Sequence, residues 1–381
     1  MNNKILFNKL SISKFEKKFV NQVIDNQKFT DGEFQNKAKN LISNIIKSKN
    51  VELTHSCSSA LEISMLLIDL KQGDEVIMPS YTFTSTANAV LLRGGKPVFV
   101  DVSPHDINLN YKLVEKKINK KTKAIIVVHY AGTACDMNDF LKLKKKYKIS
   151  LIEDAAHAFL GKYDNKFLGT IGDFGAFSFH ETKNFVGGQC GALLINNPKY
   201  LKKAKIILDK GTDRSFLDNK KKYYSWKGIG SEYRATELSS ALLCGQLKNY
   251  KKIFNSRKII WNKYLKEFSQ VKSDKFYLLQ NRDVLKKSAY HVFALIFKSL
   301  KYRDKYIAFM KKNNIYCYFH YYPLHMSKFG KNFKFNNLNV SENIYNGLVR
   351  LPLYPSLTDE ELNRIILTSK KFSILFNPQR K

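Results

Sequence analysis

One lysine of this lysine-rich chain has a setting that a surface lysine would not have. Lys183 follows the apolar, Gly-spaced segment GDFGAFSFHETKN (172–184), in which GAFSF predicts a buried strand. An ordinary lysine has a pKa near 10.4, so only about one in a few thousand is neutral at pH 7. A lysine carried into a sheet interior loses water, which lowers its pKa and makes its amine a nucleophile. Lys183 is therefore the candidate catalytic residue.

Other predicted strands end in side chains that could bind a flat heterocycle. Asp154 lies at the carboxyl end of SLIEDAAH (150–157), and ligands of open α/β sheets bind outside that end of the strands. A carboxylate there could hold a protonated ring nitrogen, or simply cap a helix. His157 could touch the same ligand or pack in the core. Phe83 follows the strand DEVIMP (74–79) and could stack on a ring or belong to the core.

Serines supply candidate donors for a phosphate. Ser58 and Ser59 lie at the start of the helix predicted within THSCSSALEISMLLIDL (54–70), and Ser178 precedes Lys183 by five residues. The N-terminus of a helix offers free N–H groups to an anion, although a serine there can also be an ordinary cap. A phosphate cradle, a stacking ring, a carboxylate for a pyridinium nitrogen and a lysine for an aldehyde are the partners that pyridoxal 5′-phosphate (PLP) needs.

The elements that must position these residues alternate between strands and helices, which indicates an α/β fold with a mostly parallel sheet. Long helices are predicted over 235–268, and a final helix over 358–372 opens with a capping box, Thr358 and Glu361. We expect a large domain over residues 1–250 and a smaller α+β domain over 251–381. The predicted strands are DEVIMP (74–79), KPVFVDV (96–102), KAIIVVHYAG (123–132), SLIEDAAH (150–157), GAFSFHE (175–181) and GALLINN (191–197).

The net charge of +33 suggests nucleic acid or an anionic membrane as a partner. The lysines, however, are spread along the whole chain in twos and threes while arginine is scarce, a pattern that AT-rich codon use produces. We therefore expect neither partner. The five cysteines are widely spaced, which disfavours a zinc site and fits free thiols in the cytoplasm. No apolar run is long enough to predict a transmembrane helix.

Six segments in order carry a resemblance to a known family: SCSSALE, GDEVIMPSYTFTSTANAV, VHYAGTACDM, EDAAHA, LGTIGDFGAFSFHETKN and YFHYYPLH. From about residue 25 to 370 the chain resembles the DegT/DnrJ/EryC1/StrS family of PLP-dependent sugar aminotransferases. The resemblance implies the fold type I aminotransferase fold. It also implies roles for the residues that bind the cofactor: Lys183 for the aldehyde, Asp154 for the ring nitrogen, Phe83 for stacking, Ser58, Ser59 and Ser178 for the phosphate, and His157 near the ring hydroxyl.

The family forms homodimers with shared sites, so the resemblance makes Arg234, within GIGSEYRATEL (228–238), a candidate contribution from the partner subunit. Many relatives have Asn at this position, which reaches the partner's cofactor phosphate. An Arg could replace this contact or point elsewhere. The chain differs from the family pattern at a second place, after the lysine. There GGQCG (187–191) has Gln189 and Cys190 in place of the usual Glu and Gly.

The resemblance implies L-glutamate as amino donor and a nucleotide-linked 4-keto-6-deoxy sugar as acceptor. The likeness is strongest to members that convert dTDP-4-keto-6-deoxyglucose to dTDP-4-amino-4,6-dideoxygalactose for surface polysaccharides. Arg214, His320 and His325 are candidates for binding the anionic substrate, or are surface and packing residues.

Four alternatives stay open. They are a 3-keto sugar aminotransferase, a PLP enzyme of ordinary amino and keto acids, a related sugar dehydratase, and a non-enzymatic regulatory or nucleic-acid-binding protein. The dehydratases carry histidine in place of the lysine, so Lys183 argues against that class.

Overall fold

The computed structural model describes residues 3–217, 223–271, 276–278, 285–333 and 335–375. The helices are α1 (Lys14–Asp25), α2 (Glu33–Ile46), α3 (Cys57–Leu67), α4 (Thr84–Leu91), α5 (Tyr111–Glu115), α6 (Met137–Tyr147), α7 (Leu201–Leu208), α8 (Glu237–Lys248), α9 (Tyr250–Ser269), α10 (Leu300–Lys312), α11 (Asn339–Gly347) and α12 (Asp359–Leu375). The strands are β1 (Val51–Thr54), β2 (Glu75–Pro79), β3 (Lys96–Val100), β4 (Thr122–Val128), β5 (Ser150–Asp154), β6 (Lys162–Tyr163), β7 (Lys166–Phe167), β8 (Phe174–Ser178), β9 (Gly191–Ile195), β10 (Phe276–Leu278), β11 (Lys286–Lys287), β12 (Ala294–Phe297) and β13 (Leu348–Arg350).

Seven strands form the main sheet in the order β1-β9-β8-β5-β4-β2-β3. The five strands β3, β2, β4, β5 and β8 pair in parallel, and β9 is antiparallel to both of its neighbours, β1 and β8. Helices connect the consecutive parallel strands from β2 to β5, as parallel pairing requires. The α/β fold class and the six predicted strands are confirmed, while the short edge strand β1 was not predicted.

Both faces of the main sheet are buried. Along β4, Ile125 and Val127 pack in one hydrophobic core, and Ala124 and Ile126 pack in another. Successive side chains of a strand point to opposite faces, so the two cores lie on opposite sides of the sheet. This explains why the strands appear in the sequence as nearly continuous apolar runs.

The C-terminal part forms a separate core around the antiparallel sheet β10-β12-β13 and the helices α9, α10 and α12. Tyr264 packs its ring 5.0 Å from that of Phe293, measured between centroids. The capping box of α12 is confirmed, because Thr358 and Glu361 exchange side chain to backbone bonds of 3.0 and 3.1 Å. The division at residue 250, which falls between α8 and α9, remains a prediction.

Asp101, directly after β3, attaches the C-terminal part to the main sheet. Its carboxylate accepts hydrogen bonds of 2.9 Å from the N–H groups of Val340 and Ser341 in the first turn of α11. The hydroxyl of Ser341 donates a third bond, of 2.6 Å. A carboxylate at a helix N-terminus satisfies free N–H groups and opposes the positive end of the helix dipole.

Within the described ranges, no helix has the length and apolarity to cross a membrane.

Glu153, fully buried on the central strand β5, organises the loop before β8. Its Oε1 accepts hydrogen bonds from the N–H groups of Ile171 (2.7 Å) and Gly172 (2.6 Å). Its Oε2 accepts from the N–H of Gly169 (2.8 Å) and lies 3.0 Å from Nε2 of His129. Every lone pair that faces this loop is used, so the loop conformation depends on two carboxylate oxygens.

We expect Glu153→Gln to lower the free energy of unfolding by about 1–3 kcal/mol, because an amide nitrogen cannot accept and leaves a buried group without its partner. Urea denaturation measures the change. The matched variant Glu360→Gln, at an exposed position of α12, should stay within about 0.5 kcal/mol of wild type. Equal stability of the Glu153→Gln variant and wild type would contradict this account of the loop.

Candidate active site

A cavity of about 670 Å³ lies where the parallel strands of the main sheet end. Its lining comes from the N-terminus of α3, the segment after β2 that begins α4, the end of β5, and the segment after β8. The C-terminal part supplies the opposite wall through residues near His291, Tyr321 and Arg350, and Phe7 and Asn8 of the N-terminal segment also contribute. The position agrees with the rule that open α/β sheets bind ligands beyond the carboxyl ends of their strands.

Lys183 lines this cavity five residues after the end of β8. Its backbone N–H donates to the carbonyl of His180 at 2.9 Å, which closes a tight turn. Burial lowers the pKa of the Lys183 amine to about 8, and the positive charge of Arg350 contributes, against the opposing effects of Cys57 and Asp154. With that pKa, about one amine in ten is neutral at pH 7, so the group is a ready nucleophile.

Asp154 faces the same cavity and is held in one orientation. Its Oδ2 accepts a 2.8 Å bond from the hydroxyl of Thr86, whose oxygen also lies 2.8 Å from that of Thr82, and its Oδ1 accepts from the N–H of Ala156 at 3.2 Å. Burial raises the pKa of this carboxyl, although the Thr86 bond and the charge of Lys183 oppose the rise. A carboxylate with raised proton affinity in a cavity is suited to share a proton with a ring nitrogen.

His157 carries a buried nitrogen that has no partner. Within the described residues, its Nδ1 makes no hydrogen bond, while Nε2 lies 3.3 Å from the hydroxyl of Tyr321. Burial and the charges of Lys183 and Arg350 hold the pKa of His157 well below its usual range, so the imidazole is neutral. Buried polar atoms are nearly always bonded, so the orphan Nδ1 indicates that a ligand oxygen or N–H completes the site.

An arrangement of donors that suits an anion lies at the N-terminus of α3. Ser56 caps this helix by accepting from the N–H of Ser59 at 3.1 Å, and the Ser58 hydroxyl donates to Ser85 Oγ at 2.7 Å. Ser58 and Ser178 line the cavity. Gly191 lets β9 approach the helix start, because a Cβ there would meet the backbone of Ser56 at 2.4 Å. The helix N-terminus and these hydroxyls together suit an anion.

The structure brings seven of the predicted site residues to the cavity: Ser58, Phe83, Asp154, His157, Ser178, Lys183 and His320. The ring of Phe83 is 58% exposed, so its face is accessible for stacking. Ser59 lies behind the wall, with its Oγ 3.0 Å from Nδ1 of His55.

Three other predicted residues, Arg214, Arg234 and His325, lie away from the lining of the cavity. Arg214 is exposed. Arg234 forms ion pairs with Asp209 (2.9 Å) and Asp31 (3.5 Å).

His325 is fully engaged in the interior. Its Nδ1 lies 2.6 Å from Ser80 Oγ and its Nε2 lies 3.0 Å from Glu342 Oε1. Both ring nitrogens are therefore used in packing the chain, and His325 has no nitrogen left for a substrate.

Several cavity residues were not found by sequence reasoning. Thr86, which orients Asp154, stands one helical turn after Phe83 in the quoted segment SYTFTSTANAV. The ring of His291 packs against that of His157 at a tilt of 31°, with ring centroids 4.3 Å apart, and its Nδ1 lies 2.8 Å from Asn184 Oδ1. Asn184 directly follows Lys183, which is the only sequence signal for this contact.

A lysine of lowered pKa, a carboxylate and an anion site that share one cavity are the groups that a PLP-dependent enzyme of fold type I needs. Residues 10–369 match the profile of the DegT/DnrJ/EryC1/StrS aminotransferase family. The chain belongs to this family, whose aminotransferases use PLP.

Similar proteins cover nearly the whole chain. An uncharacterized protein of Methanocaldococcus jannaschii is 34% identical over 92% of this chain and 94% of its own length. A GDP-perosamine synthase of Vibrio cholerae is 26% identical over 94% of this chain and 96% of its own. The solved structure of a putative sugar aminotransferase from Streptococcus pneumoniae, in its pyridoxamine phosphate form, is 26% identical and has a TM-score of 0.90 over 98% of each chain. The latter was also solved with PLP.

The residues that line the cavity fit PLP, as the orphan nitrogen of His157 and the anion site at α3 indicate. When bound, PLP supplies an aldehyde that exchanges between amines and a pyridinium ring that withdraws electrons. Asp154 would hold the proton of the ring nitrogen, and His157 Nδ1 would bond the ring hydroxyl. Lys183 Nζ would bind the aldehyde carbon and, when released, would move the proton at the carbon of the amino donor.

We expect Lys183 to become reactive at a lower pH than surface lysines do. With a pKa of about 8, its neutral fraction rises from about one tenth at pH 7 to about nine tenths at pH 9. Brief exposure of cofactor-free protein to PLP, followed by borohydride reduction and peptide mapping, should therefore label Lys183 with a midpoint near pH 8. A midpoint above pH 10 would contradict the lowered pKa. Lys183→Ala is the control and should lose both the label and turnover.

Proposed function

We propose that the protein transfers an amino group from L-glutamate to dTDP-4-keto-6-deoxyglucose and forms dTDP-4-amino-4,6-dideoxygalactose for a surface polysaccharide. The observation that carries this proposal is the half-buried amine of Lys183, which shares one cavity with the carboxylate of Asp154 and the unpaired nitrogen of His157. Those groups match transamination, in which one lysine both holds the cofactor and moves a proton.

The wall opposite Lys183 suits a sugar. His320 and Tyr321 line the cavity, and His320 Nδ1 lies 3.2 Å from the hydroxyl of Tyr130. Burial holds the pKa of His320 well below its usual range, so its imidazole is neutral. With the Tyr321 hydroxyl it offers hydrogen-bond partners for sugar hydroxyls, next to the positive charge of Arg350 on the same wall. The cavity volume falls in the range of about 300–1,000 Å³ that is typical of small-molecule sites. The name of the Vibrio cholerae relative, which is a nucleotide-sugar enzyme, supports the same substrate class.

The direct test offers two nucleotide sugars to PLP-loaded protein after L-glutamate has converted the cofactor. We expect the visible spectrum to change with L-glutamate and to return when dTDP-4-keto-6-deoxyglucose is added. Mass spectrometry should then detect the amino sugar, with the configuration at C4 assigned by NMR. Return of the spectrum with the 3-keto isomer alone would assign the enzyme to the other sugar class. Return with simple keto acids alone would exclude a sugar acceptor.

We further propose a homodimer whose two sites are shared. Residues 223–229 expose aromatic and aliphatic side chains, with Tyr223 83% and Trp226 81% accessible in the single chain. A clustered apolar surface of this kind is typical of an interface. Arg234 follows this segment and is not among the residues that line the cavity of its own chain. A partner's cavity is therefore the candidate site of its action on the cofactor.

Hybrid dimers of Lys183→Ala and Arg234→Ala test this arrangement. If Arg234 acts across the interface, each hybrid keeps one intact site, and a random mixture should regain about a quarter of wild-type activity, as two-fold symmetry predicts. If Arg234 acts within its own chain, both sites of each hybrid are defective and mixing restores nothing. Light scattering of each variant checks that the dimer forms.

A further inference from the structure

A second cavity, of about 570 Å³, lies between the β6-β7 hairpin, helix α9 and residues 286–294. Of the described residues, Val292 alone lines both this cavity and the candidate active site. Six of the 21 residues that line the second cavity are aromatic, whereas aromatic residues make up 13% of the whole chain. Its volume lies within the range of small-molecule sites, which often form where two parts of a protein meet.

Helix α9 supplies a wall in which charged and aromatic side chains alternate. The lining residues that form this pattern are three or four positions apart: Lys251, Phe254, Lys258 and Trp261. Residues at such intervals share one face of a helix, so two ammonium groups and two rings face the cavity together. Tyr290 meets both rings edge to face, with its centroid 5.3 Å from that of Phe254 and 5.7 Å from that of Trp261.

The charge of the second cavity is positive. Its described lining contains five lysines and one acid, Asp106. Lys286 is neutralised, because its Nζ lies 2.9 Å from Asp106 Oδ2 and 2.7 Å from Asp136 Oδ1. The other four have no carboxylate partner within the described ranges: Lys162, Lys251, Lys258 and Lys287. A cleft lined by charges of one sign concentrates ligands of the opposite sign, so this cavity favours an anion.

The residues between the two cavities connect them. Tyr290 lines the second cavity and has a φ of 52°, a left-handed conformation that a tyrosine rarely adopts. Arg257 holds this turn by donating to the carbonyls of Tyr290 (3.0 Å) and His291 (2.8 Å). His291 lines the active-site cavity and packs against His157. An unfavourable backbone conformation persists only when surrounding contacts hold it, so contacts in either cavity favour the same turn.

We propose that the second cavity binds a nucleoside phosphate as an effector. The base lies among the rings of Phe254, Trp261 and Tyr290, and the phosphate lies beside the ammonium groups of α9. Aromatic side chains stack on any base, and lysine is a common phosphate partner. A base without charge or an anion without a ring would use only half of this lining.

The effector acts through Tyr290. A ligand in contact with this ring stabilises the turn that places His291 against His157, the histidine that would bond the cofactor's ring hydroxyl. Occupancy of the second cavity therefore strengthens the binding of PLP, and PLP strengthens the binding of the nucleotide by the same factor. The inference concerns cofactor binding and does not depend on the identity of the sugar or of the amino donor.

Tryptophan fluorescence reports binding at this cavity directly. The chain has two tryptophans, so Trp226→Phe leaves Trp261 as the only one. We expect dTMP to quench this fluorescence and the quenching to saturate. Thymidine and inorganic phosphate, which each lack one half of the ligand, should bind about tenfold more weakly or less. Absence of saturable quenching, or equal binding of thymidine and dTMP, would overturn the proposed site.

Charge variants on α9, made in the Trp226→Phe protein, test where the phosphate lies. Lys251→Gln with Lys258→Gln should raise the concentration of dTMP at half-saturation about tenfold, because both ammonium groups are lost. Lys252→Gln with Lys266→Gln is the matched control, since these exposed lysines of the same helix lie outside the described cavity lining. Equal weakening in the two pairs would show an effect of overall charge and would count against the site.

The effector role has a separate readout, the dissociation constant of PLP from absorbance titration of cofactor-free protein. We expect saturating dTMP to lower this constant about fivefold or more, within the usual range of coupling between two sites. The effect should disappear in Lys251→Gln with Lys258→Gln. An unchanged constant would overturn the effector role. A constant raised equally in both proteins would show that dTMP competes at the active site, and would overturn it as well.

Discussion

Two adjacent carboxylates at the end of β5 set the geometry on which the rest of the site depends. Neighbouring residues of a strand point to opposite faces of the sheet, so Glu153 and Asp154 act on different sides. Glu153 fixes the loop of residues 169–172 that leads into β8. That strand then carries the chain to Lys183. Asp154 faces the cavity on the other side. Because β5 and β8 pair directly, this acid lies on the strand next to the one that leads to Lys183.

The electrostatics of the cavity follow from burial. Burial lowers the pKa of Lys183 and of His157 and raises the pKa of Asp154. Each shift favours the neutral form, as removal of water must do. The cavity therefore keeps a fractionally neutral nucleophile and a neutral imidazole, while Arg350 retains its charge because its ordinary pKa is far higher.

The sequence predicted much of the fold because the parallel strands are buried on both faces and appear as apolar runs. It indicated Lys183 and Asp154 as candidates because Asp154 ends such a strand and Lys183 comes five residues after another, and their roles stay predictions. It did not predict His291 or Arg350, because they reach the cavity from the C-terminal part, and nothing in their local sequence indicates where that part packs. The expectation that His325 binds substrate failed for the same reason. Of the two histidines in the segment YFHYYPLH, His320 lies at the cavity, whereas His325 points inward to Ser80.

The N-terminal segment links the two walls of the site. Ile5 is buried in the C-terminal core and its N–H donates to the carbonyl of Asn314 at 2.9 Å. Two residues later, Phe7 covers Arg350, and the side chain of Asn8 donates to the carbonyl of Glu181 at 3.3 Å, close to Lys183. A single short stretch therefore contacts the C-terminal core, the guanidinium of Arg350 and the loop that carries Lys183. Since Phe7 and Asn8 also line the cavity, the N-terminal segment shapes this wall through the same few contacts that attach it to the C-terminal core.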